Sequence, residues 1–478
     1  MRKIVLAIAI AIVAAVPVIG GSSMAQPAPP QTGFEQSNGA SWTTHEQELD
    51  FLAAVDSASD RVSMSVIGTT LQNRPLHLVQ IGYPEPHGLE AALQEPTTMF
   101  VCSQHGSEPA GREACLKTIR DLAFTTDPEL VELLSEQTFL FVPTANPDGR
   151  AANTRGNSQG VDINRDHLGL ATREARAIAA VVRDWKPDLS VDLHEYGPGT
   201  PVLYDDELLY LWPRNLNVEK GIHDLARSYA EGFVAPCAEA AGYTADEYGL
   251  DKAGDVQVQQ TAGDHDDGIM RNTMGMRNSL GILFETAVTP NPTNNLGEEA
   301  DAAANQRRRV QTHRTIVDCT FDWLAANGEQ MMNVTATAPL RKVGEGVAQN
   351  VPVYWAGADN IPATAAQQLY PPPCAYDLTP AQAAQAATAM ELHGILGFEQ
   401  EDGTIRVPLG QAAEPVIPLL LDNRGARNIV SATPFFAPPL DDRCGLPKPD
   451  AAEGAAAAFI VLGGLSLIPA VRRRLIGK

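Results

Sequence analysis

The chain has 478 residues, 44% of them hydrophobic, enough for one large globular domain and a smaller second one. Its 58 Asp and Glu face 35 Lys and Arg, a formal net charge of −23. That balance excludes nucleic acid and an anionic bilayer surface as main partners, because both would repel it.

At the N-terminus, Arg2 and Lys3 precede an apolar run from Ile4 to Ile19, and Ser23-Met24-Ala25 offers a small-residue cleavage site. Residues 1–25 therefore read as a secretory signal peptide, and 26–40, rich in Pro, Gln, Gly and Ser, as a linker. Regular patterning begins at Trp42. A helix is expected over His45 to Ala58, then strands Ser63 to Ile67 and Leu76 to Ile81 around the turn Asn73-Arg74-Pro75. Strand Thr98 to Ser103 leads into a helix from about Pro109 to Ala123, and Asp127-Pro128 supplies an N-cap and a first-turn proline. Strand Phe139 to Pro143, a helix capped by Thr172, strand Leu189 to Leu193, a long helix from Val218 to Ala241 and strand Leu280 to Phe284 follow. Glu298 to Ala326 reads as a closing helix. Apolar strands alternating with helices predict an α/β fold with a mixed central sheet flanked by helices.

Past Asn327 the texture changes to short strand-like pieces, Val351 to Trp355 and Val416 to Leu421, around Pro371-Pro372-Pro373. The chain thus divides into a catalytic domain over 41–328, a small β-rich domain over 329–445 and a C-terminal segment over 446–478. In that last segment Gly454 to Val471 is uncharged and ends on Arg472-Arg473-Arg474, the pattern of a transmembrane anchor with a cytoplasmic basic stop. Leu446-Pro447-Lys448-Pro449-Asp450 resembles a cell-wall sorting signal but departs from it at Pro449 and Asp450. The expected location is extracellular, with the membrane as a partner through this tail. Six cysteines in an exported chain predict disulfides, with the pairing open, and the lack of a Cys-x-x-Cys pair argues against a thiolate metal site.

Four features carry chemistry at the ends of predicted strands, where open α/β sheets place their sites. His105 and Glu108 stand three apart at a strand-to-helix turn, able to offer one imidazole nitrogen and one carboxylate to a metal. His194, ending another apolar strand, can complete a three-ligand set with an open fourth position. The loop from Asn146-Pro147-Asp148-Gly149, a turn in itself, to Asn164-Arg165 gathers two arginines whose planar forks suit a carboxylate or an oxyanion. Glu285 closes a strongly apolar strand, an environment that raises a carboxyl toward the range of a general base. Taken singly, each admits a plain structural role: a surface pair, a hydrogen-bonded histidine, a turn, an exposed strand end.

Together and in this order, from about Trp42 to Asn327 and including Ile67-Gly68 and Asn73-Arg74-Pro75, they resemble the zinc metallocarboxypeptidases of the A/B type. The resemblance implies Zn2+ on His105, Glu108 and His194, with Asp162 orienting His105. It implies Glu285 as general base toward a zinc-activated water and Arg155, rather than Arg150, as oxyanion stabiliser. Asn164 and Arg165 would grip the free C-terminal carboxylate of a peptide substrate, and Tyr196 would border the cleft. Ser107 stands where digestive members carry Arg, and Asp251 to Met276 contains no tyrosine to match the family's substrate-capping one. Asp264, Asp266 and Asp267 read as a solvated acidic loop, with selection of a basic C-terminal residue as the other reading. The expected reaction is hydrolysis of a C-terminal peptide bond. Cell-wall peptide hydrolysis, amino-acid deacylation and an inactive surface-displayed binding protein are the alternatives.

Overall fold

The computed structural model describes residues 29–197, 204–248, 250–253, 256–259, 264–289, 301–439 and 441–444. An eight-stranded mixed sheet organises the chain. Its strands are β1 (Val62–Thr69), β2 (Pro75–Ile81), β3 (Thr97–Cys102), β4 (Thr138–Val142), β5 (Leu189–Tyr196), β6 (Leu208–Leu211), β7 (Ala245–Glu247) and, after a hairpin of β8 (Leu250–Ala253) and β9 (Val256–Gln259), β10 (Leu280–Ala287). The order is β1-β2-β4-β3-β5-β10-β6-β7. β4, β3, β5 and β10 run parallel, while β2 and β6 flank them antiparallel. Every residue of these four parallel strands is buried, which explains their continuous apolar runs, since helices cover both faces.

On one face the helices Ala110–Phe124 and Ala302–Ala348 close a core that includes Phe100, Phe141, Ile119, Ile316 and Phe321. On the other, Arg173–Trp185 and Met270–Met276 bring Ile178, Val181, Met270 and Met274 onto Leu78, Met99, Val101 and Leu140. The six cysteines pair as Cys102–Cys115, Cys237–Cys319 and Cys374–Cys444. The first ties β3 to the helix after it, the second ties two helices, and the third closes the C-terminal region.

Three expectations change. The closing helix does not stop near Ala326 but runs unbroken to Ala348, through the boundary expected between residues 328 and 329. Asn327 bonds back to the Trp323 carbonyl at 2.9 Å. Gly328 is a packing position, since a Cβ there would come 2.7 Å from Gln137 Nε2 and 3.3 Å from Pro96 Cγ. Val416–Leu421 is a buried helix, not a strand; Pro418 lacks the N–H that a central ladder needs. The long helix expected from Val218 divides into Lys220–Tyr229, a π segment Ala230–Val234 and Ala235–Ala240.

The C-terminal residues form a short pair, β11 (Val353–Tyr354) with β12 (Gln368–Leu369), and a four-stranded sheet. That sheet comprises β13 (Ala375–Leu378), β14 (Phe398–Glu399), β15 (Ile405–Pro408) and β16 (Thr433–Phe435), backed by helix Pro380–His393. Tyr376, Leu378, Val407 and Leu419 belong to the same buried cluster as Phe100 and Ile316. The expected membrane tether is corrected: among the described residues no helix is long and apolar enough to cross a membrane. The signal peptide expected over 1–25 and the anchor expected over 454–471 lie outside the described residues.

Candidate active site

The site assembles at the carboxyl ends of β3, β4, β5 and β10. Beyond β3 the chain turns sharply at Ser103, with φ of 54°, and presents His105. Gly106 lets this turn lie directly on the next segment, because a Cβ there would sit 1.9 Å from the Gly149 carbonyl carbon. Asn146-Pro147-Asp148-Gly149 is the first turn of helix Pro147–Ala152, not a free turn. Asn146 caps it by accepting from Gly149 N at 2.9 Å and donates to the Gln104 carbonyl at 3.0 Å. Asp148 accepts from Thr70 Oγ1 and Arg74 Nη1, both at 2.8 Å, which joins the Asn73-Arg74-Pro75 turn to this loop.

His105, Glu108 and His194 converge, all three buried. His105 Nδ1 lies 2.8 Å from Glu108 Oε1, His194 Nδ1 lies 2.8 Å from Glu108 Oε2, and the two Nδ1 atoms stand 3.0 Å apart. The far nitrogens are occupied. His105 Nε2 donates to Asp162 Oδ1 at 3.0 Å and His194 Nε2 to Asp192 Oδ2 at 2.8 Å. These bonds direct both Nδ1 lone pairs at each other and at a carboxylate, an arrangement that calls for a cation between them. The spacings lie just inside the roughly 3.3 Å edge of a tetrahedron with zinc–ligand bonds of about 2.0–2.1 Å. The donor set, two imidazoles and a carboxylate, fits zinc.

Asn164 is turned inward. Its Nδ2 donates to Asp192 Oδ2 at 3.0 Å, 2.9 Å from His194 Nε2, and its Oδ1 accepts from Met270 N at 2.8 Å. Arg155 binds Asp162 Oδ2 through Nε at 3.0 Å and Nη2 at 2.9 Å, with Nη1 3.6 Å from Glu108 Oε1. Half its side chain faces solvent, at 52% exposure. Arg150, by contrast, donates to the Gly106 carbonyl and is spent on holding the turn. Asp162 thus fastens His105 on one oxygen and Arg155 on the other. Burial would raise its carboxyl, but His105, Arg155 and Arg165 hold it well below the carboxylate range.

Glu285 stands opposite His194 in the sheet register and is buried, which pushes its carboxyl up to about 7 against the opposing pull of His194. Tyr196 packs edge-on to Tyr204, which in turn touches Tyr248, their ring centroids 5.8 and 5.3 Å apart. Tyr196 OH donates to the Asp206 carbonyl. Tyr248 lies just before the tyrosine-free stretch from Asp251 to Met276. Burial and then the Glu285 charge push its hydroxyl up to about 12. Its sequence signal is weak, since a lone tyrosine beside a short strand marks no chemistry.

The acidic loop is not solvated. Asp264 is 1% and Asp267 6% exposed, and Asp266 is gripped by Arg427 through bonds of 2.9 and 2.7 Å. Asp264 Oδ1 stands 3.9 Å from Arg214 Nη1 without a hydrogen bond among the described residues, and Asp267 Oδ1 lies 3.2 Å from Arg427 Nε.

Residues 48–270 match the family model described as zinc carboxypeptidase. Glu285 lies beyond the matched segment. The chain is 31% identical over 189 residues to a probable carboxypeptidase 2 of Trichophyton verrucosum, covering 38% of this chain and 36% of that protein. It is 32% identical over 141 residues to carboxypeptidase SOL1 of Arabidopsis thaliana, covering 27% of this chain and 28% of the relative. The chain thus spans less than two fifths of the length of these curated relatives. Among solved structures it resembles a metallo-carboxypeptidase from Pseudomonas aeruginosa, with a TM-score of 0.46, 16% identity, and coverage of 60% of this chain and 69% of that one.

Proposed function

We propose that this chain, whose residues 48–270 match the family model described as zinc carboxypeptidase, hydrolyses the C-terminal peptide bond of peptides, with Glu285 as general base. The observation that carries this reading is the convergence of His105 Nδ1, His194 Nδ1 and a Glu108 carboxylate oxygen beside a buried Glu285. Zinc held by these three residues would supply Lewis acidity to water and to the scissile carbonyl.

The remaining work falls to the protein. Glu285, on the strand next to His194, accepts a proton from the attacking water and passes it to the leaving amine. Arg155, aimed by Asp162, offers its fork to the oxygen that becomes negative in the tetrahedral intermediate. Arg165, 37% exposed, holds the terminal carboxylate, and this contact makes the reaction exopeptidic. Asn164 acts from behind, keeping Asp192 on His194 and fixing the start of helix Met270–Met276. The aromatic row Tyr196, Tyr204 and Tyr248 walls the cleft on the Glu285 side. Three disulfides support an oxidising compartment for this chemistry.

The test is a set of peptides differing only in the last residue, each also supplied with an amidated C-terminus, assayed with metal content determined. Zinc-dependent release of one terminal residue, lost on amidation, is the expected result. A zinc-loaded protein that cleaves none of them would overturn the exopeptidase reading and direct the search to cell-wall peptides or acylated amino acids.

A further inference from the structure

The C-terminal region sends one side chain into the substrate end of the site. Arg427 lies between the helix Val416–Leu421 and β16. Its guanidinium grips Asp266 with two parallel bonds, Nε to Oδ1 at 2.9 Å and Nη2 to Oδ2 at 2.7 Å. Asp267 Oδ1 stands 3.2 Å from the same Nε. Asp266 Oδ2 in turn lies 3.5 Å from Arg165 Nε. The two arginines therefore meet on one carboxylate. The backbone between them is equally tight: a Cβ on Gly268 would come within 2.4 Å of both the Arg165 carbonyl oxygen and Arg427 Nε. Gly268 N also donates to Asp266 Oδ1 at 2.9 Å, and its carbonyl accepts from His167 N at 3.1 Å.

A carboxylate beside a substrate-binding arginine is a competitor for it. Left to itself, Asp266 would draw the Arg165 fork into a bidentate pair and away from an incoming carboxylate. Arg427 occupies both Asp266 oxygens first, so that Arg165 keeps only a longer contact through Nε. With Nη1 also donating to the Asn164 carbonyl at 2.9 Å, the guanidinium is fixed in orientation while its side chain stays 37% exposed. We propose that Arg427 is a positioning residue for substrate binding, acting through Asp266 on Arg165, and that the C-terminal region is thereby part of the recognition apparatus for a terminal carboxylate. This rests on the function proposed above.

The experiment uses the full chain with zinc content measured. Arg427→Ala is expected to raise KM for free-acid peptides about tenfold while kcat stays within about twofold. Arg427→Lys, which keeps the charge but not the fork, should recover part of the loss. Arg406→Ala removes a comparable fork, on Asp377 at 2.7 Å through each nitrogen, elsewhere in the same region, and should leave KM unchanged. An unchanged KM in a folded Arg427→Ala protein, or an equal rise in Arg406→Ala, overturns the proposal. If Arg427→Ala does not fold, Arg427→Gln, which loses the charge and the fork but keeps much of the length, tests the same link and should raise KM as well; an unchanged KM there overturns it. Binding of free-acid and amidated peptides to Glu285→Gln separates the two readings. Preference for the free acid without any cleavage by the parent protein sinks the catalytic reading alone, and loss of that preference in Arg427→Ala still supports the relay. Equal binding of acid and amide by the parent overturns the relay itself.

Discussion

Glu285 and His194 are direct register partners on the neighbouring parallel strands β10 and β5, so their side chains leave the sheet on the same face. A metal ligand and a buried carboxyl are thereby held side by side by two fully buried strands. Glu285→Gln keeps the shape and removes the proton acceptor. Expected is a fall in kcat of about 10²- to 10⁴-fold with KM and zinc content unchanged. Equal loss of zinc in the variant would show instead that Glu285 serves the metal.

The same carboxyl sets the acidic side of the pH profile. Burial pushes it up to about 7 before any metal charge is counted, and a cation on the neighbouring ligands pulls it lower. The base must be ionised, so kcat/KM rises with pH through this pKa and falls about tenfold per unit below it. The limb should lie at or below about 7 and vanish from the residual activity of Glu285→Gln. A limb that survives the substitution belongs to another group.

Much of this site was legible because its residues follow strand ends, where the pattern of apolar runs points directly to them. His105, Glu108, His194 and Glu285 come together as their positions required. What the sequence hid was long-range. Tyr248 reaches Tyr204 only through the fold, and Arg427 meets Asp266 across 161 residues, so neither leaves a local pattern. Asn164, expected beside Arg165 as a substrate contact, also bonds Asp192 and Met270 N, partners that no local pattern announces. The long helix was misjudged for a different reason. The texture changes past Asn327, yet the buried stripe Leu324, Gly328, Met331, Thr335, Ala338, Lys342 and Gly346 keeps helical spacing straight through it.

Asp162 fastens His105 Nε2 and the Arg155 fork with its two oxygens, which in the proposed mechanism joins metal binding to oxyanion binding. Asp162→Asn should lower zinc affinity about 10- to 100-fold and, at saturating zinc, still depress kcat because Arg155 loses its charged anchor. Arg155→Ala should depress kcat by about 10²–10³ with zinc affinity unchanged. Metal titration and kinetics on both variants check this. If zinc fully restores kcat in Asp162→Asn, the carboxylate orients the histidine alone.

Truncation tests whether residues beyond 328 are a separable unit. A chain ending at Gly328 would cut a helix that continues to Ala348 and strip Met331, Ala338, Tyr376 and Val407 from a core shared with Phe100 and Ile316. It would also remove Thr335, whose hydroxyl binds the Asp188 carboxylate at the start of β5, a group that burial pushes up to about 6. Large-to-small changes at single core positions cost about 2–5 kcal/mol, and a domain's whole stability is of order 5–15 kcal/mol. Removing several such residues together should therefore leave a chain that aggregates or melts well below the full protein. Circular dichroism melting of the two chains decides it. A truncated chain that melts cooperatively at the parent temperature would restore the two-domain division.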